Sequence, residues 1–171
     1  YQAYRSMYDA IGVKNVNAIL PPPMKPAPLD PSLEHILSIS AKPFQAFPGQ
    51  DHKAHIDAHL NFMRLNMVQN NPAAMASLQK NILEHISLMA QEQVQLEFVQ
   101  EMQEIKTIQM QMQQLNAQNP AMAQNMQQNP QAMQAQQRVQ QITMMIEARK
   151  AILIAEMTMD FAKEEEKIMG E

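Results

Sequence analysis

NPAAMASLQKNILEHISLMAQEQ, residues Asn71 to Gln93, decides the fold. Asn71 is a natural N-cap, and Pro72 a natural first helical residue because the first turn leaves its own N–H groups unpaired anyway. Beyond Pro72, Met75, Leu78, Ile82, Ile86 and Met89 recur at intervals of three and four, the spacing of one face of an α-helix. No Pro or Gly interrupts the chain before Asn119. The stripe continues through Val94, Phe98, Met102, Ile105, Ile108, Met112 and Leu115. One helix of roughly 45 residues is expected, ~70 Å long at ~1.5 Å per residue. A drift of the stripe between Ala90 and Val94 marks an expected bend.

The same reading extends in both directions. Asp51 is an expected N-cap for a helix running to about Val68, with His55, Ile56, His59, Leu60, Met63 and Met67 on one side. Upstream, KPFQAFPG (42–49) reads as a turn anchored by Phe44 and Phe47. Asp30 and Pro31 predict the start of a short helix bearing Leu33, Ile36 and Leu37. Pro21, Pro22, Pro23, Pro26 and Pro28 exclude helix interior and central strand, and predict an extended connector. Gly12 is placed to end a first helix. Downstream, 117–137 is rich in Gln, Asn, Ala and Met and reads as disorder or as a polar hairpin. From Pro130 to about Met169, Val139, Ile142, Ile146, Leu153, Met157, Phe161 and Ile168 form a second stripe.

Composition agrees with a mainly α fold. The 171 residues include 17 Met but only 3 Gly, and 5% are aromatic. Methionine fills the irregular gaps between helices. The net charge of −4 excludes a polybasic footprint for phosphate backbones. The absence of Cys excludes disulfides and thiolate sites. No apolar run approaches the ~20 residues that span a bilayer, so no membrane partner is expected. The chain begins at Tyr1, which we read as a piece of a longer protein. Long one-faced helices need partners to cover them. Few such partners are expected within the chain, which points to a homo-oligomer.

The runs PPPMKPAPLDPSLEH, AFPGQDHKAHIDAHLNFM and NPAAMASLQKNILEHISLMAQEQ, in that order, resemble the C-terminal part of tailed-bacteriophage portal proteins. The likeness covers about residues 10–95; the remainder matches only as a Gln-rich helical tail. It implies a ring, usually of twelve copies, at one capsid vertex of the virion, assembled in the host cytoplasm. Double-stranded DNA would be packaged and ejected through its channel. A terminase motor, a tail adaptor and capsid proteins would be partners through regions outside this piece. Residues 1–50 would be a wing-end helix and proline-rich connector, 51–118 a helical crown, and 119–171 a hairpin and barrel-like helix. A coiled-coil scaffolding or adaptor protein of a virion is the alternative.

Chemistry-bearing residues are few. DHKAHIDAH (51–59) holds three of the chain's five histidines. At ~100° per residue, His52, His55 and His59 share a helix face within roughly 60°. With His85 they form a candidate set for metal, together with carboxylates at Asp51 or Asp57. Against metal, a first-turn His52 is expected to splay away, and no Glu lies between His55 and His59 as zincins require. The reading is therefore packing: His52, His55, His59, His85, Phe98, Met102 and Ile105 are expected at helix or subunit contacts. No nucleophile–base pair, phosphate-binding glycine loop or paired carboxylates appear. No enzyme, cofactor or metal is expected. Arg138, Arg149 and Lys150 are read as solvated or in i,i+4 pairs, with contact to channel DNA as the alternative.

Overall fold

The computed structural model describes residues 2–20, 27–118 and 130–170. The chain is mainly helical, and no strand occurs among the described residues. The helices are α1 (Gln2–Ala10), α2 (Val16–Ile19), α3 (Pro31–Ile39), α4 (His52–Met63), α5 (Asn66–Gln69), α6 (Pro72–Glu97), α7 (Val99–Gln118) and α8 (Pro130–Gly170).

Local chemistry sets the helix starts. Asp30 Oδ1 accepts from Ser32 N at 2.8 Å, with Pro31 in the first turn of α3. Asp51 Oδ1 accepts from Ala54 N at 3.0 Å at the head of α4. Asn71 Oδ1 accepts from Ala74 N at 3.1 Å, with Pro72 opening α6. Each bond satisfies a donor that the first turn cannot pair internally. Helix ends obey a second rule. Gly12 has φ 73°, and Val13 N→Tyr8 O and Gly12 N→Asp9 O close α1 in a Schellman motif. Ala41 does the same after α3, with Lys42 N→Leu37 O and Ala41 N→Ser38 O, although its φ of 53° disfavours a residue carrying a Cβ.

α6 is the centre. α3, α4 and the C-terminal half of α8 pack around it, and α7 packs on α8. Met75, Leu78, Ile82 and Ile86 of α6 meet Met63, Val68, Phe161 and Ile168, with Phe44, Leu60 and Met157 at the margin. A second cluster joins Ala90 and Val94 to Leu153, flanked by Phe98 and Ile146. The α6 stripe and the buried face of α8 are therefore covered within the chain. That corrects the expectation that few internal partners exist.

Three boundaries differ from the sequence reading. The expected helix 51–68 ends at Met63. Arg64 and an extended Leu65 (ψ 129°) lead into the single turn α5. The break turns Val68 into the core and leaves Met67 58% exposed, reversing their expected roles. The expected 45-residue helix divides at Phe98, whose φ/ψ of −112°/32° leaves the helical region. Phe98 N→Val94 O and Met102 N→Phe98 O persist across it, so the axis bends there, beyond the expected Ala90–Val94. Past the bend the stripe loosens: Met102 and Ile105 are half-buried and Leu115 is exposed. The Gln-rich stretch read at 117–137 lies outside the described residues over 119–129, as does the connector over 21–26.

Candidate functional site

All five histidines converge where α3, α4 and α6 meet. On α4, His52, His55, His59 and Met63 succeed one another at intervals of three and four, so they share the buried face. On α6, Asn81 and His85 are one turn apart and buried. On α3, Glu34 and Ser38 are one turn apart and buried, and His35 beside them is half-buried. Glu34, His59 and His85 are completely inaccessible to solvent.

Glu34 is the hub. Its Oε2 accepts from His55 Nδ1 at 2.9 Å and lies 3.2 Å from His59 Nε2. Burial pushes the Glu34 carboxyl up, but the hydrogen bonds from His59 and His55 outweigh it and hold the group below its ordinary range. His59 Nε2 also donates to Asn81 Oδ1 at 2.9 Å, and Asn81 is oriented by its Nδ2 reaching towards Glu84 Oε2. The other nitrogen of His59 meets His35 Nε2 at 3.0 Å. The His35 ring lies flat on Phe62, with centroids 4.0 Å apart. Burial drives the pKa of His35 and of His85 down to about 4, so both rings are neutral near pH 7.

His85 is held by His52. Their Nδ1 atoms are 2.8 Å apart, so one of them carries the proton. His52 Nε2 is 3.2 Å from Glu92 Oε1, close enough for attraction though poorly directed for a hydrogen bond. The Glu92 carboxylate favours a proton on His52 Nε2. His52 Nδ1 then accepts from His85 Nδ1, and the lone pair of His85 rests on Nε2. That Nε2 is buried with no partner, and so is Glu34 Oε1. Donor atoms of Glu34, His55, His59 and His85 all lie within 4.8 Å of one another.

The loop before α4 closes over this centre. Ala46 N donates to Glu84 Oε2 at 3.0 Å, and Gly49 N donates to Glu92 Oε1 at 2.7 Å. Gly49 sits at φ 80°, where a side chain is disfavoured. Gln50 ties the loop to the connector through Leu29 O.

Among the residues singled out in the sequence, His52, His55, His59 and His85 meet at this centre. Phe98, Met102 and Ile105 lie elsewhere, on the half-buried side of the α6–α7 bend and α7. Asp51 and Asp57 supply nothing to it: Asp51 is spent on the α4 cap. His52 does not splay away; it is buried against His85. Sequence reasoning missed Glu34 and His35. One signal was present: LEHI occurs at 33–36 and again at 83–86. α3 turns the Glu of this tetrapeptide inward, and α6 turns the His inward. Arg138 and Arg149 also have assigned partners. Each makes a two-pronged contact from α8, to Glu104 and Glu97 respectively.

A family model described as TrbM, the conjugative transfer protein, matches residues 16–168, so the chain belongs to the TrbM family. No curated protein and no solved structure matches the chain. The family match overturns the portal resemblance and, with it, the roles in DNA packaging and ejection and the placement in a virion at a capsid vertex. It equally removes support for the virion scaffolding or adaptor alternative. The physical reason is visible in the motifs themselves. LDP and QDH are helix caps, NPAAM is a helix start, and the histidine spacing builds a local polar core. None of these features is specific to a DNA channel. The crown and barrel assignments, the twelve-copy ring and the motor and tail partners had that resemblance as their source.

Proposed function

We propose that this TrbM-family chain is a non-catalytic, self-associating helical protein of plasmid conjugative transfer. Family membership supports the conjugative setting. The observation that carries the mode of action lies on α8. At ~100° per residue this helix has two apolar faces. Ile142, Leu153, Phe161 and Ile168 fill the face buried in the chain. On the opposite side, Met145, Ile152 and Met159 are seven residues apart and 49–61% exposed. Ala148, Ala155 and Ala162, also seven apart and exposed, lie between them. That is the a/d pattern of a coiled-coil seam, with small residues that let a second helix come close. No helix among the described residues covers it. A second copy offers the same stripe and would bury both. Sealing of the histidine centre from solvent supports a non-catalytic reading, because a substrate has no route to Glu34, His59 or His85.

Two measurements test the proposal. Sedimentation velocity on the full chain should show a concentration-dependent oligomer, and Ile152→Lys with Met159→Lys should shift it to monomer while leaving helix content intact. In mating assays, a plasmid lacking the gene should transfer less often, with rescue by the wild-type gene and not by the double variant. A wild-type chain that stays monomeric at high micromolar concentration would refute the self-association. Unchanged mating without the gene would refute the conjugative role.

A further inference from the structure

We propose that Glu34, His55, His59 and His85 form a structural binding site for one divalent transition cation of the zinc class, tying α3, α4 and α6 together. This is independent of the role proposed above and stands on four observations.

The first is ligand type and count. One carboxylate and three imidazoles make a four-ligand set of nitrogen and oxygen donors, as zinc takes. All four come from protein, which leaves no open position; that is the mark of a structural rather than a catalytic centre.

The second is distance. Bonds of ~2.0–2.2 Å around a tetrahedral ion put neighbouring donors ~3.3–3.6 Å apart. Glu34 Oε2 is already 2.9 Å from His55 Nδ1 and 3.2 Å from His59 Nε2. The whole set spans no more than 4.8 Å, so small side-chain rotations bring it onto an ion.

The third is the balance of lone pairs. The centre presents both oxygens of Glu34, Asn81 Oδ1 and His85 Nε2 as acceptors. In the metal-free chain the ring N–H groups of His55 and His59 are the donors that face them; on binding an ion each ring releases that proton or moves it to its other nitrogen. Two of the acceptors, Glu34 Oε1 and His85 Nε2, are buried with no donor at all. Buried polar atoms in folded proteins are almost always satisfied. A surplus of lone pairs is what a cation answers. The ion-pair partners of Glu34 among the described residues are imidazoles alone, with no Lys or Arg to neutralise the buried carboxylate.

The fourth is the surrounding shell. Metal-bound imidazoles usually have their remaining nitrogen held by a second group, which fixes ring and tautomer. Here His52 holds His85 at Nδ1 and leaves Nε2 free. His35, stacked on Phe62, holds His59 at Nδ1 and leaves Nε2 facing Glu34. His55 turns Nδ1 to Glu34, and its Nε2, 3.4 Å from the Gln50 amide, has no firm partner among the described residues. His59 and His85 thus each turn one nitrogen inward and have the other engaged outside.

The test uses the full chain without a histidine tag, stripped with a chelator and then dialysed against Zn²⁺ as the sole metal. Elemental analysis after gel filtration should give one zinc per chain. Co²⁺ in its place should give the intense visible absorption of a tetrahedral site. Zn²⁺ should raise the midpoint of thermal unfolding. Glu34→Gln and His85→Ala should each weaken Zn²⁺ binding at least ten-fold, with helix content followed by circular dichroism. If these variants do not fold, the Co²⁺ spectrum and the histidine nitrogen shifts of the wild-type chain decide. Substoichiometric zinc with no thermal shift overturns the proposal. So does zinc retained at full affinity in both folded variants, which would place the metal elsewhere.

Discussion

Replacing Glu34 with Ala tests the architecture of the histidine centre most directly. In the metal-free chain the carboxylate receives the His55 Nδ1 proton and shares that of His59 Nε2. Its loss strands His55, whose other nitrogen has only the long 3.4 Å approach of Gln50. His59 retains Asn81 Oδ1 at 2.9 Å and is only partly affected. A buried group left without its partner costs about 1–3 kcal/mol. One full and one partial loss, plus a small cavity beside α3, add to roughly 2–4 kcal/mol. For a chain of this length that lowers the thermal midpoint by about 5–15 °C. The assay is urea and thermal unfolding in chelator, followed by helical circular dichroism, with His55→Ala and the double variant completing a cycle. The Glu34–His55 coupling should be about 1–3 kcal/mol. A loss below ~0.5 kcal/mol for Glu34→Ala, which is within the range of an ordinary surface change, would refute the view that Glu34 is the hub.

Other expectations are simpler to check. Ile82→Ala, at a fully buried position between α4 and α8, should cost about 2–5 kcal/mol in denaturant unfolding, whereas Met144→Ala on the exposed side of α8 should cost less than ~0.5 kcal/mol. Ala41→Gly should stabilise by about 0.5–1 kcal/mol, because the left-handed φ of 53° no longer carries a Cβ penalty; destabilisation would contradict the Schellman end assigned to α3. Without metal, the folded state should weaken as pH falls from about 6.5 towards 4. The unfolded chain takes protons near 6.5, while burial holds folded His35 and His85 near 4. Unfolding midpoints that rise over that interval would reverse the sign.

Much of this fold was legible because caps and stripes are local. Asp30, Asp51 and Asn71 each announce a helix start by residue type, and the bonds they make are within three residues. The buried side of α8 matches its heptad-like stripe. The bend was announced by the drift of the stripe at Ala90–Val94, but its place at Phe98 was not legible. No Gly or Pro marks it; Phe98 leaves the helix path where it packs at the edge of the Ala90–Val94–Leu153 cluster. Val68 and Met67 exchanged roles for a similar reason, since a break at Arg64–Leu65 rotates α5 relative to α4. At the candidate site, the four buried histidines could be grouped by face, but the carboxylate that organises them is 21 residues before His55, across a proline-containing loop. Periodicity says nothing about pairs at that separation. The reading of long helices in want of outside partners failed for α6 because α8 returns along it. Resemblance misled for a related reason: capping motifs recur wherever helices start.

The bend at Phe98 separates a well-buried part of the molecule from one held partly by ion pairs in water. On the α6 side the contacts are buried: an apolar cluster and the histidine centre, both closed to solvent. Beyond it, half-buried Met102 and Ile105 of α7 and buried Ile142 of α8 are joined by the pair Arg138–Glu104, and Arg149–Glu97 lies at the bend itself. Both pairs are exposed to water, where dissolved ions weaken them. Ionic strength should therefore act as a selective solvent for this distal arm. Amide exchange in α7 should quicken with added salt, while that of α6 between Leu78 and Ile86 should stay as slow as global unfolding permits.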